Sequence, residues 1–193
     1  MSFDYYDKNP EKFYEDTVHV DMGEFYQAFL PLVRDRGKIL DVGCGSGRDL
    51  QKFKNLGYEV IGIDASIEMV KKAKALSRVE VLNLKFAEIT WENEFDGLWA
   101  SASLLHVPAT EISNTLKLLW KSLKRSSPFF MSFKYGANSY TKNDRYFQNY
   151  TEVTVEPILE NLENHKVEKI WTTADKRLNR EGENWLNLIL TKV

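Results

Sequence analysis

Cysteine is nearly missing from this sequence: the chain of 193 residues has one, Cys44. A lone thiol excludes an internal disulfide and any metal site built on several cysteines, and no metal is expected. Long apolar runs are missing too. None approaches the ~20 residues that a bilayer span requires. The opening stretch MSFDYYDKNPEKFYEDT is acidic and aromatic, without the basic start and apolar core of a secretory leader. Nor does charge of one sign dominate. Lys and Arg total 26 against 28 Asp and Glu, for a net charge of −2, so no overall basic field is present to hold nucleic acid. These absences predict a cytoplasmic protein with no membrane and no nucleic-acid partner.

What is present is a core-forming composition, 43% hydrophobic and 13% aromatic with 28% charged residues, in a length that suits one domain. From Lys38 onward, apolar runs alternate with helix-period segments. KILDV, YEVIGID, VEVLNLKF, FDGLWA and PFFMSFK read as strands. Between them, RDLQKFKNL reads as a helix ended by Gly57, and IEMVKKAKAL as a helix capped by Ser66. A third helix is expected from Ala109 to Arg125, with Ile112, Leu116, Leu119, Trp120 and Leu123 on one face. EPILENL adds another, before KVEKIWTT and NWLNLILTKV, which are joined through the polar DKRLNREGE and should pair antiparallel. The expected fold is α/β: a doubly wound, mostly parallel seven-stranded sheet with an antiparallel C-terminal edge hairpin. Residues 1–193 form a single domain in this reading, with 1–36 as an N-terminal helical cap that includes a helix in DMGEFYQAFLPLV.

In such a sheet, ligands bind beyond the carboxyl ends of the strands, where strand order reverses. The first strand runs straight into Gly43-Cys44-Gly45-Ser46-Gly47. Gly43 is expected to permit the turn, Gly45 to let backbone touch a ligand, and Gly47 to let the next helix approach the sheet. The second strand ends at Asp64, whose carboxylate can accept hydrogen bonds from two ribose hydroxyls. A glycine loop paired with an acidic strand end points to a nucleoside-containing ligand. The spacing is G-x-G-x-G rather than G-x-G-x-x-G, and Asp41 precedes the loop, which suits a cationic ligand better than a pyrophosphate. No G-K-[ST] follows, so this is not a Walker loop.

The stretches ILDVGCGSGRDL, VIGIDAS with Met69 following, and EFDGLWASASLLHVP resemble the class I S-adenosylmethionine-dependent methyltransferases, and within them the small single-domain branch that includes tellurite-resistance-type enzymes. The resemblance covers roughly Lys38 to Lys134 and speaks to the cofactor, S-adenosylmethionine, more than to the acceptor. It implies that Asp41, Gly43, Cys44, Gly45, Ser46 and Gly47 surround the methionine part of the cofactor, with Ala100 and Ser101 facing it. Asp64 would hold the ribose, Ala65, Ser66 and Met69 would flank the adenine, and Ala87 and Glu88 would run along its far side. Tyr14 is taken as a contact from the N-terminal segment. Lys124 to Pro128, KRSSP, departs from the Pro-Gly-Gly turn usual in the family.

Methyl transfer from a sulfonium requires alignment and exclusion of water, and a base only where the nucleophile must lose a proton. No catalytic triad is seen. His106, just past the fourth strand, has two readings: a base or acceptor contact, or a ring bonded to backbone in the turn before Pro108. Tyr5, Tyr6, Phe13 and Tyr14 form either a lid or packing of an added helix. Lys134, Tyr135, Arg145 and Tyr146 either bind an acceptor with a negative charge or a ring, or belong to a solvated loop. Cys44 reads as a small packed side chain, His19 and His165 as structural, and Trp171, Arg177 and Trp185 as edge packing. The expected function is methyl transfer to a small-molecule acceptor by a monomer. The rivals are methylation of protein or nucleic acid, a non-catalytic S-adenosylmethionine-binding protein, and a nucleotide-dependent oxidoreductase, which the glycine spacing disfavours. The segment ASASLLHVP lacks the Asn/Asp-Pro-Pro-aromatic turn of DNA amino-methylases, and no Pro-Cys pair exists for attack on a cytosine ring.

Overall fold

The computed structural model describes residues 2–177 and 180–193. Strand β1 (Lys38–Val42) is buried on both faces, as a central parallel strand must be. It pairs in parallel with β2 (Glu59–Asp64) on one side and with β4 (Gly97–Ala100) on the other. Beyond them lie β3 (Glu80–Asn83) and β5 (Pro128–Lys134), also parallel. The last two strands, β8 (His165–Ala174) and β9 (Asn184–Lys192), form the expected hairpin, and β9 inserts antiparallel beside β5. The spatial order is β3-β2-β1-β4-β5-β9-β8. Strand order therefore reverses at β1 and β4, whose carboxyl ends are where a ligand is expected.

Helices α4 (Arg48–Asn55), α5 (Ile67–Ser77), α6 (Ile112–Ser122) and α7 (Glu152–Leu159) cover the sheet. The side-chain alternation of the strands sorts the core into two layers. Leu98, Ala100, Phe129, Met131 and Phe133 face α6 and α7. Trp99 and Phe130 face the other way and stack at 4.0 Å and 19°, amid Phe53 of α4 and Phe29 of α3 (Gly23–Phe29). That burial is why the helix before β1 docks on this face.

Several elements differ from expectation. The helix in DMGEFYQAFLPLV ends at Phe29 and tightens into a single 3₁₀ turn, Leu30–Leu32, holding Pro31, which has no N–H to continue an α-helix. The third strand stops at Asn83, whose side-chain amide donates to the carbonyls of Asp64 and Ala65, and Phe86–Glu88 forms a 3₁₀ turn instead. The helix expected from Ala109 to Arg125 is shorter, Ile112–Ser122. A two-stranded hairpin, β6 (Ser139–Lys142) and β7 (Arg145–Gln148), stands where a loop was one of the readings. Its two-residue turn, Asn143 and Asp144, has positive φ at both positions, 51° and 59°, as a type I′ turn demands. Two short helices, α1 (Ser2–Lys8) and α2 (Pro10–Val18), precede α3, and α1 packs against α5 and β7.

Candidate active site

The loop after β1 is held from below. The Gly43 and Cys44 N–H groups both donate to the Ile63 carbonyl, at 2.8 and 3.0 Å. Each glycine answers to a different neighbour. A Cβ on Gly43 (φ +76°) would sit 2.5 Å from the Ser103 Cβ, in the loop after β4. On Gly47 (φ +82°) it would sit 2.7 Å from the Ala73 Cα of α5, so this glycine admits the second helix rather than its own. On Gly45 it would meet the Phe13 ring of α2 at 3.2 Å.

Asp64 closes the other side of the loop. Its carboxylate accepts from the Gly45 N–H and the Ser66 N–H, both at 2.9 Å. A carboxylate has about four lone-pair sites, so these two bonds leave capacity for two hydroxyls. Desolvation pushes the Asp64 carboxyl up to about 6, partly offset by the Ser66 and Gly45 N–H bonds. At neutral pH it is mainly ionised. Asp64 lines a cavity of 530 Å³ together with Ala65, Met69, Phe86 and Ala87. A smaller cavity of 150 Å³ lies beyond it, lined by Cys44, Ser46, Ser101, Lys134 and Arg145 among others.

The wall common to both cavities comprises Tyr6, Phe13, Gly43, Gly45, Ala102 and His106. Two of these residues are bonded: Tyr6 Oη lies 2.7 Å from His106 Nε2. The other ring nitrogen, Nδ1, lies 2.7 Å from the Tyr146 carbonyl, which can only accept. Nδ1 therefore carries the proton, and Tyr6 donates to Nε2. Desolvation pulls the His106 imidazole down to about 4, against the opposing Tyr146 bond. Desolvation also raises the Tyr6 hydroxyl, while the neighbouring Arg145 lowers it. The pair thus rests neutral, with the imidazole free to accept.

Further bonds tie α1 and α2 across the site. Asp7 accepts from the Ser66 hydroxyl and, at 3.3 Å, from the Glu68 N–H, and Glu11 pairs with Lys72. Arg48 grips Asp49 through Nε and Nη2, at 2.7 and 2.8 Å, and donates to the Thr17 carbonyl at 3.1 Å. Asp49 also accepts from the Tyr26 hydroxyl and from Trp99 Nε1. Arg48 holds its carboxyl below the usual range despite burial.

Among residues expected at the site, Gly43, Cys44, Gly45, Ser46, Asp64, Ala65, Met69, Ala87 and Ser101 line one or both cavities, as do His106, Lys134, Arg145 and Tyr146. Others stand behind or beside it. Asp41 is buried under the loop, its Oδ2 with no hydrogen-bond partner among the described residues, and burial raises its carboxyl well above the ordinary range. Ser66 caps α5 through the Met69 N–H, Glu88 accepts from the Lys85 N–H, and Ala100 is fully buried. Gly47 packs on α5. Tyr14 lies under the Lys72 ammonium, and its neighbour Phe13 faces the cavities instead. Tyr135 is exposed and bonds Glu152. Arg48, Asp49, Asp175 and Asn187 line the smaller cavity without having been anticipated. The Arg-Asp pair directly after Gly47 was the available signal for the first two.

Residues 39–126 match the family model for a methyltransferase domain. An uncharacterized methyltransferase of Staphylococcus carnosus is 28% identical over 118 residues, 57% of either chain. A phosphoethanolamine N-methyltransferase of Triticum aestivum is 36% identical over 77 residues, 36% of this chain and 15% of that protein. The chain thus spans about half the length, or less, of these curated relatives. Among solved structures, the Burkholderia thailandensis 1,6-didemethyltoxoflavin-N1-methyltransferase, with its substrate and S-adenosylhomocysteine bound, superposes with a TM-score of 0.78 at 19% identity, covering 98% of this chain and 84% of that one. A TehB-like S-adenosylmethionine-dependent methyltransferase from Corynebacterium glutamicum gives 0.72 at 16% identity, covering 97% and 98%. Residues 39–126 thus resemble a methyltransferase domain, and the strand order is that of the Rossmann-like fold these solved structures share.

Proposed function

We propose that the protein transfers a methyl group from S-adenosylmethionine to a small-molecule acceptor. The observation that carries this reading is the pair of adjoining cavities over the glycine loop, one beside the Asp64 carboxylate and the other beyond the Tyr6–His106 wall. The residues fit the cofactor. Gly43 and Gly45 leave the backbone bare where side chains would intrude, and Asp64 keeps lone pairs for the ribose hydroxyls. Ala65, Met69 and Ala87 suit the adenine, and Ser46 and Ser101 the methionine end.

When bound, S-adenosylmethionine supplies an electrophilic methyl carbon: the acceptor's lone pair forms the new bond to it while the carbon–sulfur bond breaks, leaving a neutral thioether. The protein's part is to align, to exclude water, and to take a proton where the acceptor has one to lose. Tyr6 can accept that proton on Oη as its own passes to His106 Nε2, with the Nδ1–H still bonded to the Tyr146 carbonyl. An imidazole depressed to about 4 is a weak base. It suffices because an acceptor's proton becomes strongly acidic as the new bond forms. A small acceptor is favoured over a macromolecule because α1, α2 and β7 roof the wall and the second cavity is only 150 Å³.

The test is incubation with methyl-labelled S-adenosylmethionine and a metabolite extract, followed by separation by size. Label in the low-molecular-weight fraction supports the reading. Label confined to protein or nucleic acid, or none above a control without enzyme, overturns it.

A further inference from the structure

Five cations line the smaller cavity, and four of them are spoken for. Arg48 is clamped to Asp49. Lys134 is held by Asp175 at 3.0 Å and by Glu183, with its ammonium over the Trp185 ring. Arg177 takes Asp175 at 2.6 Å, and Lys176 takes Glu24 at 3.0 Å. Arg145 has no carboxylate partner among the described residues, and its Nε is buried without a hydrogen-bond acceptor.

Its surroundings are rings. The guanidinium carbon lies 4.0 Å from the Tyr5 centroid, 5.2 Å from Phe147 and 5.7 Å from Tyr6. Rings attract the faces of the cation but accept none of its five N–H bonds. The guanidinium is half-buried and has the Tyr6 hydroxyl as a side-chain hydrogen-bond neighbour, but leaving the buried Nε donor unpaired is costly, and a fold tolerates that where a ligand completes the set. The position is also built. Arg145 is the first residue of β7, set by the Asn143-Asp144 turn, and the next residue's carbonyl fixes the His106 ring. One short strand therefore places in the smaller cavity a guanidinium with no carboxylate partner among the described residues, and fixes the imidazole that lines the same cavity.

We infer that the methyl acceptor carries an anionic oxygen group, a carboxylate or a phosphate, which Arg145 binds edge-on so that the acceptor's nucleophile is presented to the Tyr6–His106 wall. Planar bidentate capture of either group is what a guanidinium does and an ammonium does not. The inference rests on the methyltransferase reading above.

The test uses the full chain saturated with S-adenosylhomocysteine, titrated calorimetrically with inorganic phosphate, with benzoate and with neutral benzamide. At least one anion should bind, and which one separates phosphate from carboxylate. Benzamide should bind at least about tenfold more weakly than the anion that binds. R145Q should weaken that anion by about tenfold or more, R145K by less, and S-adenosylhomocysteine affinity should stay within about threefold in both. Retained S-adenosylhomocysteine binding also reports that the variants fold. The inference is overturned if neither anion binds, if benzamide matches the anions, or if R145Q binds them as well as the parent. It is equally overturned if S-adenosylhomocysteine affinity falls in step with the anion's, which would assign the guanidinium to the cofactor's own carboxylate. Should the parent chain fail to bind S-adenosylhomocysteine at all, the methyltransferase reading itself fails first.

Discussion

Tyr6 Oη donates to His106 Nε2 across 2.7 Å, joining the first helix of the chain to the turn after β4, 100 residues away. The bond sits in the wall common to both cavities, where donor and acceptor would meet. Tyr6→Phe keeps the ring and removes the relay. For an acceptor that loses a proton, the single-turnover rate should fall by about 10²-fold or more. S-adenosylhomocysteine affinity, measured by calorimetry, should change little. Equal losses in both would make Tyr6 a cofactor contact instead.

The His106 ring carries its own pH signature. Its folded value, about 4, lies below the 6.5 of an exposed histidine. The contribution of the neutral ring to stability is therefore present above pH 6.5 and is lost as pH falls toward 4, because the unfolded chain takes the proton first. Urea melts of the parent and of His106→Gln across this window should diverge, with the parent losing on the order of 3 kcal/mol more. The turnover profile should show no ionisation of His106 between pH 6 and pH 8, taken as roughly one unit either side of neutral.

Asp64 runs the other way. Its folded carboxyl, about 6, lies above the ordinary 3.8, so its protonated form adds stability at low pH that is lost as pH rises through 6. Cofactor affinity should do the opposite, since ribose hydroxyls need the ionised form. Below pH 6 the affinity should drop, approaching about tenfold per pH unit. Asp64→Asn should flatten that dependence and weaken binding at pH 8 by about 1.5–3 kcal/mol. Unchanged affinity at pH 8 would mean the ribose is held elsewhere.

Two glycines with similar backbones separate strain from contact. Gly47 (φ +82°) has the Ala73 backbone 2.7 Å from where a Cβ would lie, whereas Gly57 (φ +91°) has nothing within 4 Å. Gly57→Ala should cost about 1–2 kcal/mol, the price of the left-handed conformation alone. Gly47→Ala should cost about 1–3 kcal/mol more, since α5 must shift. Thermal unfolding of the two variants side by side gives the difference.

The sheet was legible because buried parallel strands are continuous apolar runs, and KILDV, FDGLWA and PFFMSFK all are. The glycine loop and Asp64 were legible because their chemistry is local. The β6–β7 hairpin was not. Both strands are four residues long, SYTK is exposed throughout while RYFQ has a single fully buried residue, Phe147, and they flank a turn of Asn-Asp rather than Asn-Gly, so neither an apolar run nor turn chemistry marked them. Missing the hairpin left Arg145 without a place. The third strand was read too long because Leu84 and Phe86 continue the alternation, while the Asn83 side chain ends the pairing by bonding across to Asp64 and Ala65. Choosing Tyr14 over Phe13 turned on which face of α2 meets the loop, a relation between elements that the residues of α2 do not encode. Asp41 looked like a ligand contact because it stands beside the glycine loop in sequence, but its side chain is buried and lines neither cavity.

The most direct measurement is calorimetric titration of the parent chain with S-adenosylmethionine and, separately, with NAD. The account predicts saturable heat at one site per chain with S-adenosylmethionine, and none with NAD. Saturable NAD binding without a response to S-adenosylmethionine would contradict it.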